Sequence, residues 1–206
     1  AAREVAPILD LDAQAKDLEG YLFPDTYDIT RRPDAAQTLV RRMVARFRQV
    51  MAPEREKLEA SGRSLREIVT LASLVERETA RADERPRVAA VFLNRLRKKM
   101  PLQTDPTIVY ALKRAGRWDG NIRKQDLELD SSYNTYRYAG LPPGPIASPG
   151  RESLRAVLAP ASVQDLYFVS KNDGSHQFSE NLSQHERAVD RYQRHRNRAS
   201  SEGTKG

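Results

Sequence analysis

The chain has 206 residues, 39% of them hydrophobic and 31% charged, with a formal net charge of +7 and a sequence pI near 9.8. That length suffices for one sizeable domain, and the composition is that of a polar globular protein rather than a disordered one. There is no cysteine, which excludes a disulfide scaffold, cysteine-based zinc sites and thiol catalysis. No stretch approaches the roughly 18–20 apolar residues of a membrane-spanning helix, and the first six residues lack the apolar core of a signal peptide. The basic excess suits a polyanion, whether nucleic acid, an acidic membrane surface or an acidic wall polymer, and does not choose among them.

Residues 1–18 carry no clear pattern. The stretch 19–27, aromatic-rich around Pro24, reads as an extended or turn segment. Apolar Leu39, Val40, Met43, Val44, Phe47 and Val50 recur at helical spacing, which predicts a helix from about 34 to 51. A helical pattern continues over 53–60 and breaks near Ser61 and Gly62. Ser64 with Glu67 forms a capping-box signature ahead of Leu65, Ile68, Val69, Leu71, Leu74 and Val75. Another helix spans about 85–98, with Val88, Val91, Phe92 and Leu96 on one side, and Pro101 stops it. A short helix is expected at 107–114 and another at 153–158. Residues 116–150 are rich in Gly, Pro, Asn, Ser and Tyr, and a loop of that length inside a domain is usually functional. The runs 166–170 and 176–179 flank Asn172-Asp173-Gly174, the clearest hairpin signal in the chain. Ser183 reads as the cap of a last basic helix to about 198. These elements imply an α+β fold: a helix-rich first half, with antiparallel strands and a β-hairpin in the second half. There is no internal repeat and no interdomain linker. The expected division is a lead-in at 1–18, one domain at 19–198 and a disordered tail at 199–206.

Glu76 and Glu78 lie on the Ser64 helix among largely apolar neighbours. A carboxyl group beside a core is costly to ionise, so its pKa rises and it can hold a proton near neutral pH, as a general acid for glycosidic cleavage requires. The two glutamates sit roughly 200° apart around the helix, and periodicity does not choose between them. A pair of surface glutamates neutralised by Arg77 or Arg81 fits the same pattern. Gln103-Thr104-Asp105-Pro106-Thr107 gathers an amide, two hydroxyls and a carboxylate around a rigid proline; Asp105 or Thr107 also suits a helix N-cap. Residues 131–138 alternate hydroxyl, aromatic and amide groups, including Tyr133, Asn134 and Tyr136. They suit either a sugar-binding face or an amphipathic edge strand. His176, His185 and His195 are dispersed, with no metal-ligand spacing. There is no phosphate-cradling glycine loop and no serine elbow.

Eight blocks together carry a resemblance. They are Glu-Gly-Tyr-Leu-Phe-Pro-Asp-Thr-Tyr at 19–27, Ala-Ser-Leu-Val-Glu-Arg-Glu-Thr at 72–79, Val-Ala-Ala-Val-Phe-Leu-Asn-Arg-Leu at 88–96 and Leu-Gln-Thr-Asp-Pro-Thr at 102–107, followed by Ser-Tyr-Asn-Thr-Tyr at 132–136, Gly-Leu-Pro-Pro-Gly-Pro-Ile at 140–146, Leu-Tyr-Phe-Val at 166–169 and His-Gln-Phe-Ser-Glu-Asn-Leu at 176–182. Their kind and order resemble the endolytic murein transglycosylase (YceG-like) family over about residues 17–192. The resemblance implies an enzyme that cuts MurNAc–GlcNAc bonds within peptidoglycan strands by a lyase reaction leaving 1,6-anhydro ends. It assigns Glu78 as the single catalytic acid and base, with Glu76 and Thr79 supporting. Gln103, Thr104, Asp105, Tyr133, Asn134, Tyr136 and His176 become substrate-binding candidates, with Asn181 and Glu180 weaker ones. No metal or cofactor is expected. Family members usually carry an N-terminal membrane helix and a LysM-like region, so the expectation is an excised catalytic domain. Its natural place is the outer, extracytoplasmic face of the cytoplasmic membrane, with peptidoglycan strands as substrate and peptidoglycan synthases as candidate partners. The competing readings are a muramidase that hydrolyses the same bond, a non-catalytic wall-binding scaffold, and a basic nucleic-acid-binding module using Arg31, Arg32, Arg41, Arg42, Arg95, Arg97, Lys98 and Lys99.

Overall fold

The computed structural model describes residues 8–194; His195, the expected end of the last helix and the expected tail lie outside them. Among the described residues there are seven α-helices and one two-stranded antiparallel sheet, an α+β arrangement weighted toward helix. The helices are α1 (Ala35–Met51), α2 (Arg55–Ala60), α3 (Leu65–Glu78), α4 (Arg85–Arg97), α5 (Asp105–Arg114), α6 (Arg151–Leu158) and α7 (Leu182–Val189). The strands are β1 (Tyr167–Ser170) and β2 (His176–Ser179), paired Tyr167 to Ser179 and Ser170 to His176.

Helix α3 is the axle of the fold. Its start follows the sequence signal: Ser64 Oγ accepts the Glu67 amide at 3.2 Å, and Glu67 Oε2 accepts the Ser64 amide at 2.9 Å. Every position from Ile68 to Val75 is buried, so the helix is enclosed all round by α4, α5 and α6. Burying each large aliphatic side chain here contributes roughly 1.5–3 kcal/mol. The buried Ser73 hydroxyl of the run is satisfied. Ser73 Oγ donates to the Thr70 carbonyl at 2.7 Å and accepts the Ile146 amide at 3.0 Å, which pins the proline-rich loop to the helix.

The segment before α1 packs into this core. Ile8 and Leu18 are fully buried, and the Tyr21 ring meets Phe47 edge-on at 5.2 Å. Tyr21 donates to Asp12 at 2.7 Å, and Arg66 of α3 joins Asp12 at 2.6 Å to the Pro143 carbonyl. Gly20 lies between these parts with φ +88°. A Cβ there would meet Pro145 at 2.4 Å and Val69 at 2.7 Å. For a larger residue the left-handed backbone costs about 1–2 kcal/mol and the overlap about 1–3 kcal/mol. Gly20→Ala is therefore expected to destabilise the chain by about 2–5 kcal/mol in urea unfolding, whereas an unchanged midpoint would refute the close packing.

Three local expectations need correction. Helix α5 begins at Asp105 rather than Thr107, because Pro106 falls in the first turn, where its missing N–H costs nothing. Thr104 is its N-cap residue, so neither Asp105 nor Thr107 has that role. The cap of α7 is Asn181, whose side chain accepts the Gln184 amide at 3.0 Å, not Ser183. Residues 131–138 form successive turns instead of an edge strand. The Asn134 side chain explains that, by replacing ladder bonds with local ones. It donates to the Leu127 and Leu129 carbonyls at 2.9 and 2.8 Å and accepts the Tyr136 and Arg137 amides at 3.0 and 3.3 Å.

Candidate active site

Glu78 is the last residue of α3, where the chain turns into the extended backbone of Thr79. Its carboxyl is set against α4, the 102–105 segment and β1, and burial raises its pKa above the ordinary glutamate value. Asp105 adds to that rise, whereas a hydrogen bond from Thr104 and the electrostatic influence of His176 and Arg95 oppose it. The negative end of the helix dipole acts in the same direction as burial. Thr104 Oγ1 donates to Glu78 Oε2 at 2.7 Å, which leaves Oε1 to carry a transferable proton.

A cleft of about 310 Å³ opens at this carboxyl. Val91, Phe92, Leu102 and Phe168 form its apolar wall, and Gln103, Asp105, Tyr136, Arg95 and His185 supply the polar one. Apolar surface with a few convergent polar groups suits a sugar ring, which has an apolar face and a hydroxyl rim. Gln103 sits at φ +50°, a strained conformation for a residue with a side chain. The backbone is held there by Thr135: the Gln103 amide donates to its carbonyl at 3.1 Å, and the Thr104 amide to its hydroxyl at 3.1 Å. Tyr136 donates to Asp105 at 2.5 Å; burial, then this bond, raises the phenol pKa. Two larger cavities of about 430 and 460 Å³ share Glu19 and Arg114 on their walls, but Glu78 lines neither. Among the described residues, no three His, Asp or Glu side chains gather as a cation site.

The structure thus brings Glu78, Gln103, Thr104, Asp105 and Tyr136 together. Other candidates stand elsewhere. Glu76 Oε2 accepts the Gly150 amide at 3.1 Å and the Ser153 hydroxyl at 2.6 Å, and its other oxygen lies 3.5 Å from Arg85. It therefore ties the start of α6 to α3, and its cationic neighbour is neither Arg77 nor Arg81. Thr79 Oγ1 donates to Glu84 rather than Glu78, at 3.4 Å. His176 Nδ1 lies 2.6 Å from Glu84 Oε2, and its ring meets Phe168 edge-on at 5.3 Å, one side chain removed from the cleft. Asn134 is fully buried as the brace of the 127–137 loop, and Asn181 caps α7. Tyr133 lies in the 430 Å³ cavity, its ring 4.7 Å from Tyr110.

Sequence reasoning missed Arg95, Phe168 and His185 as cleft residues and Glu84 as the partner of His176. For Arg95 a signal existed: it follows Val88, Val91 and Phe92 at helical spacing, which places a cation inside an apolar stripe. That burial withdraws Arg95, only 8% exposed, from the basic cluster; the other seven members are exposed, with Arg42 donating to the Asp28 carbonyl at 2.6 Å and Arg97 to Asn94.

This helical α+β domain, with a desolvated carboxyl in an aromatic-lined cleft, has known relatives. The model of the YceG-like family matches residues 2–191, and the chain belongs to that family. It is 39% identical to the endolytic murein transglycosylase of Bacillus subtilis (strain 168) over 175 residues, covering 85% of this chain and 48% of that protein. It is 34% identical to the endolytic murein transglycosylase of Streptococcus pneumoniae serotype 2 (strain D39) over 192 residues, covering 90% of this chain and 34% of that protein. The chain therefore spans about half or less of the length of these relatives. The crystal structure of a yceG-like protein from Listeria monocytogenes superposes with a TM-score of 0.77 at 38% identity, covering 86% of this chain and 58% of that one. No helix among the described residues is long and apolar enough to cross a membrane.

Proposed function

We propose that this chain carries the catalytic centre of an endolytic murein transglycosylase, cutting MurNAc–GlcNAc bonds within peptidoglycan strands on the extracytoplasmic side of the cell membrane. The observation that carries the reading is the Glu78 carboxyl: desolvated, raised in pKa, and hydrogen-bonded on one oxygen only, by Thr104. Family membership and the printed activity of the relatives support it.

In this mechanism Glu78 gives its Oε1 proton to the glycosidic oxygen as the C1–O bond breaks. The Thr104 bond strengthens as the carboxylate forms, since hydrogen bonds to charged acceptors are the stronger ones. The carboxylate then takes the proton of the MurNAc C6 hydroxyl, and O6 closes on C1. One group serves both steps and no water is consumed. The apolar wall of Phe92, Leu102 and Phe168 favours that outcome by excluding water.

Digestion in ¹⁸O-labelled water tests this. Anhydro-ended fragments free of label are expected, whereas labelled reducing ends would establish a muramidase. That second reading has one structural point in its favour: Asp105 is another carboxyl in the same cleft, as two-carboxylate hydrolysis needs. Tyr136 already holds it by a hydrogen bond.

The reaction needs protonated Glu78, so kcat/KM falls as pH rises through its pKa. Thr104→Val removes a bond that favours the ionised form, raises the pKa and is expected to move the alkaline limb to higher pH. Asp105→Asn removes a charge that opposes ionisation and should move the limb to lower pH. Displacements of the same sign in the two profiles would contradict the assignment of Glu78 as the acid.

A further inference from the structure

Arg95 is 8% exposed, yet no carboxylate lies within 4.0 Å of it among the described residues. Its Nε donates to the Leu166 carbonyl at 2.7 Å, and Nη1 donates to the Pro101 and Leu102 carbonyls at 3.1 and 3.0 Å and to Gln103 Oε1 at 3.4 Å. Nη2 has no protein partner and is not sealed from solvent, and the residue lines the Glu78 cleft. A second polar group in that wall is also unused. The His185 imidazole, stacked on Tyr167 at 5.1 Å, has no hydrogen-bond partner for either nitrogen, and its Nδ1 is buried. The same Tyr167 ring lies 5.0 Å from the Arg95 guanidinium, so the two groups share one aromatic floor.

A desolvated cation without a carboxylate in contact is costly, and with Nε and Nη1 committed to the Leu166, Pro101 and Leu102 carbonyls and to Gln103, Nη2 is the donor this cleft-lining residue has left for a ligand. The complement is an acyl oxygen, carboxylate or amide, on the bound molecule. We infer that Arg95 Nη2, beside His185, binds the acyl oxygen of the 3-O-lactyl group that MurNAc carries and GlcNAc lacks, so that this contact distinguishes murein from chitin. The inference rests on the function proposed above.

The test uses the Glu78→Gln chain, which binds without cutting, and two oligosaccharides of equal length: peptide-free GlcNAc–MurNAc glycan, whose lactyl groups end in carboxylates, and chitin oligomer. A charge-assisted hydrogen bond of this kind is worth roughly 10- to 100-fold in affinity. The lactyl-bearing glycan is expected to bind at least about tenfold more tightly, and the preference should shrink with added salt. Arg95→Met, checked for a retained melting transition, should abolish the preference; if that variant does not fold, the ligand comparison and its salt dependence still decide. Equal binding of the two glycans, or a preference that survives in folded Arg95→Met, overturns the inference. Wild-type cleavage of murein with no lactyl preference would sink this contact alone. Absence of both binding and cleavage would sink the proposed function and the contact with it.

Discussion

Glu78→Gln is expected to lower the rate of glycan-strand cleavage by at least about 10³-fold. Each proton transfer contributes roughly 10²–10⁴-fold, and in this mechanism one group performs both. The amide keeps the shape of the side chain and can still accept from Thr104 at the Oε position. Stability should move the other way. The folded-state pKa of Glu78 lies above its unfolded value. Its favourable contribution is therefore complete below the unfolded value and is lost as pH rises through the folded one. Glutamine never ionises, so the variant should melt no lower than the wild type at neutral pH, and relatively higher as pH increases. Rates measured on purified uncross-linked strands, with melting curves over the same pH range, check both parts. Wild-type turnover would remove Glu78 from the chemistry; a large loss of stability would assign it a structural role instead.

The second large effect falls on a residue that touches no substrate. Asn134→Ala leaves the Leu127 and Leu129 carbonyls and the Tyr136 amide without their Asn134 side-chain partner, while the Arg137 amide keeps the Asn134 backbone carbonyl at 3.2 Å. Unsatisfied buried groups cost about 1–3 kcal/mol each, with partial relief from water, so a loss of about 3–5 kcal/mol is expected. For a chain of this size that corresponds to a fall in Tm of about 10–15 °C. Activity should drop as well, because Tyr136 reaches Asp105 and Thr135 holds the strained Gln103 backbone. An unchanged Tm would mean that the 127–137 turns are held by something other than Asn134.

These two residues show what the sequence makes legible. The core was readable wherever local chemistry and burial agree. The Ser64 and Glu67 cap, the apolar run of α3 and the Asn-Asp-Gly turn each state their own structure. The α5 start differs from the sequence expectation because a proline reads as a break, although it is tolerated in a first helical turn. Residues 131–138 misled differently: alternating hydroxyl and aromatic side chains have the period of a strand, but one buried amide converts the backbone into turns. In the site, periodicity could not separate Glu76 from Glu78, since both flank the same stripe. What separates them is tertiary: Gly150 and Ser153 occupy Glu76, and only the 102–105 segment closes on Glu78. Polar residues in a motif look alike whether they meet substrate or brace the loop, which is why Asn134 stands beside Gln103 and Tyr136 in the sequence, with Thr79 as a supporting and Asn181 as a weaker candidate. Arg95 and His185 come from helices on either side of the hairpin, and only the packed fold brings them to one wall.

The mechanism depends most on the protonation of one side chain before substrate arrives. A ¹³C NMR titration of the glutamate carboxyls, with Glu78 assigned by the resonance missing in Glu78→Gln, measures it directly. The expected result is a Glu78 midpoint above the ordinary value of about 4.3, raised further in Thr104→Val and lowered in Asp105→Asn. A Glu78 midpoint at or below that ordinary value would contradict the account.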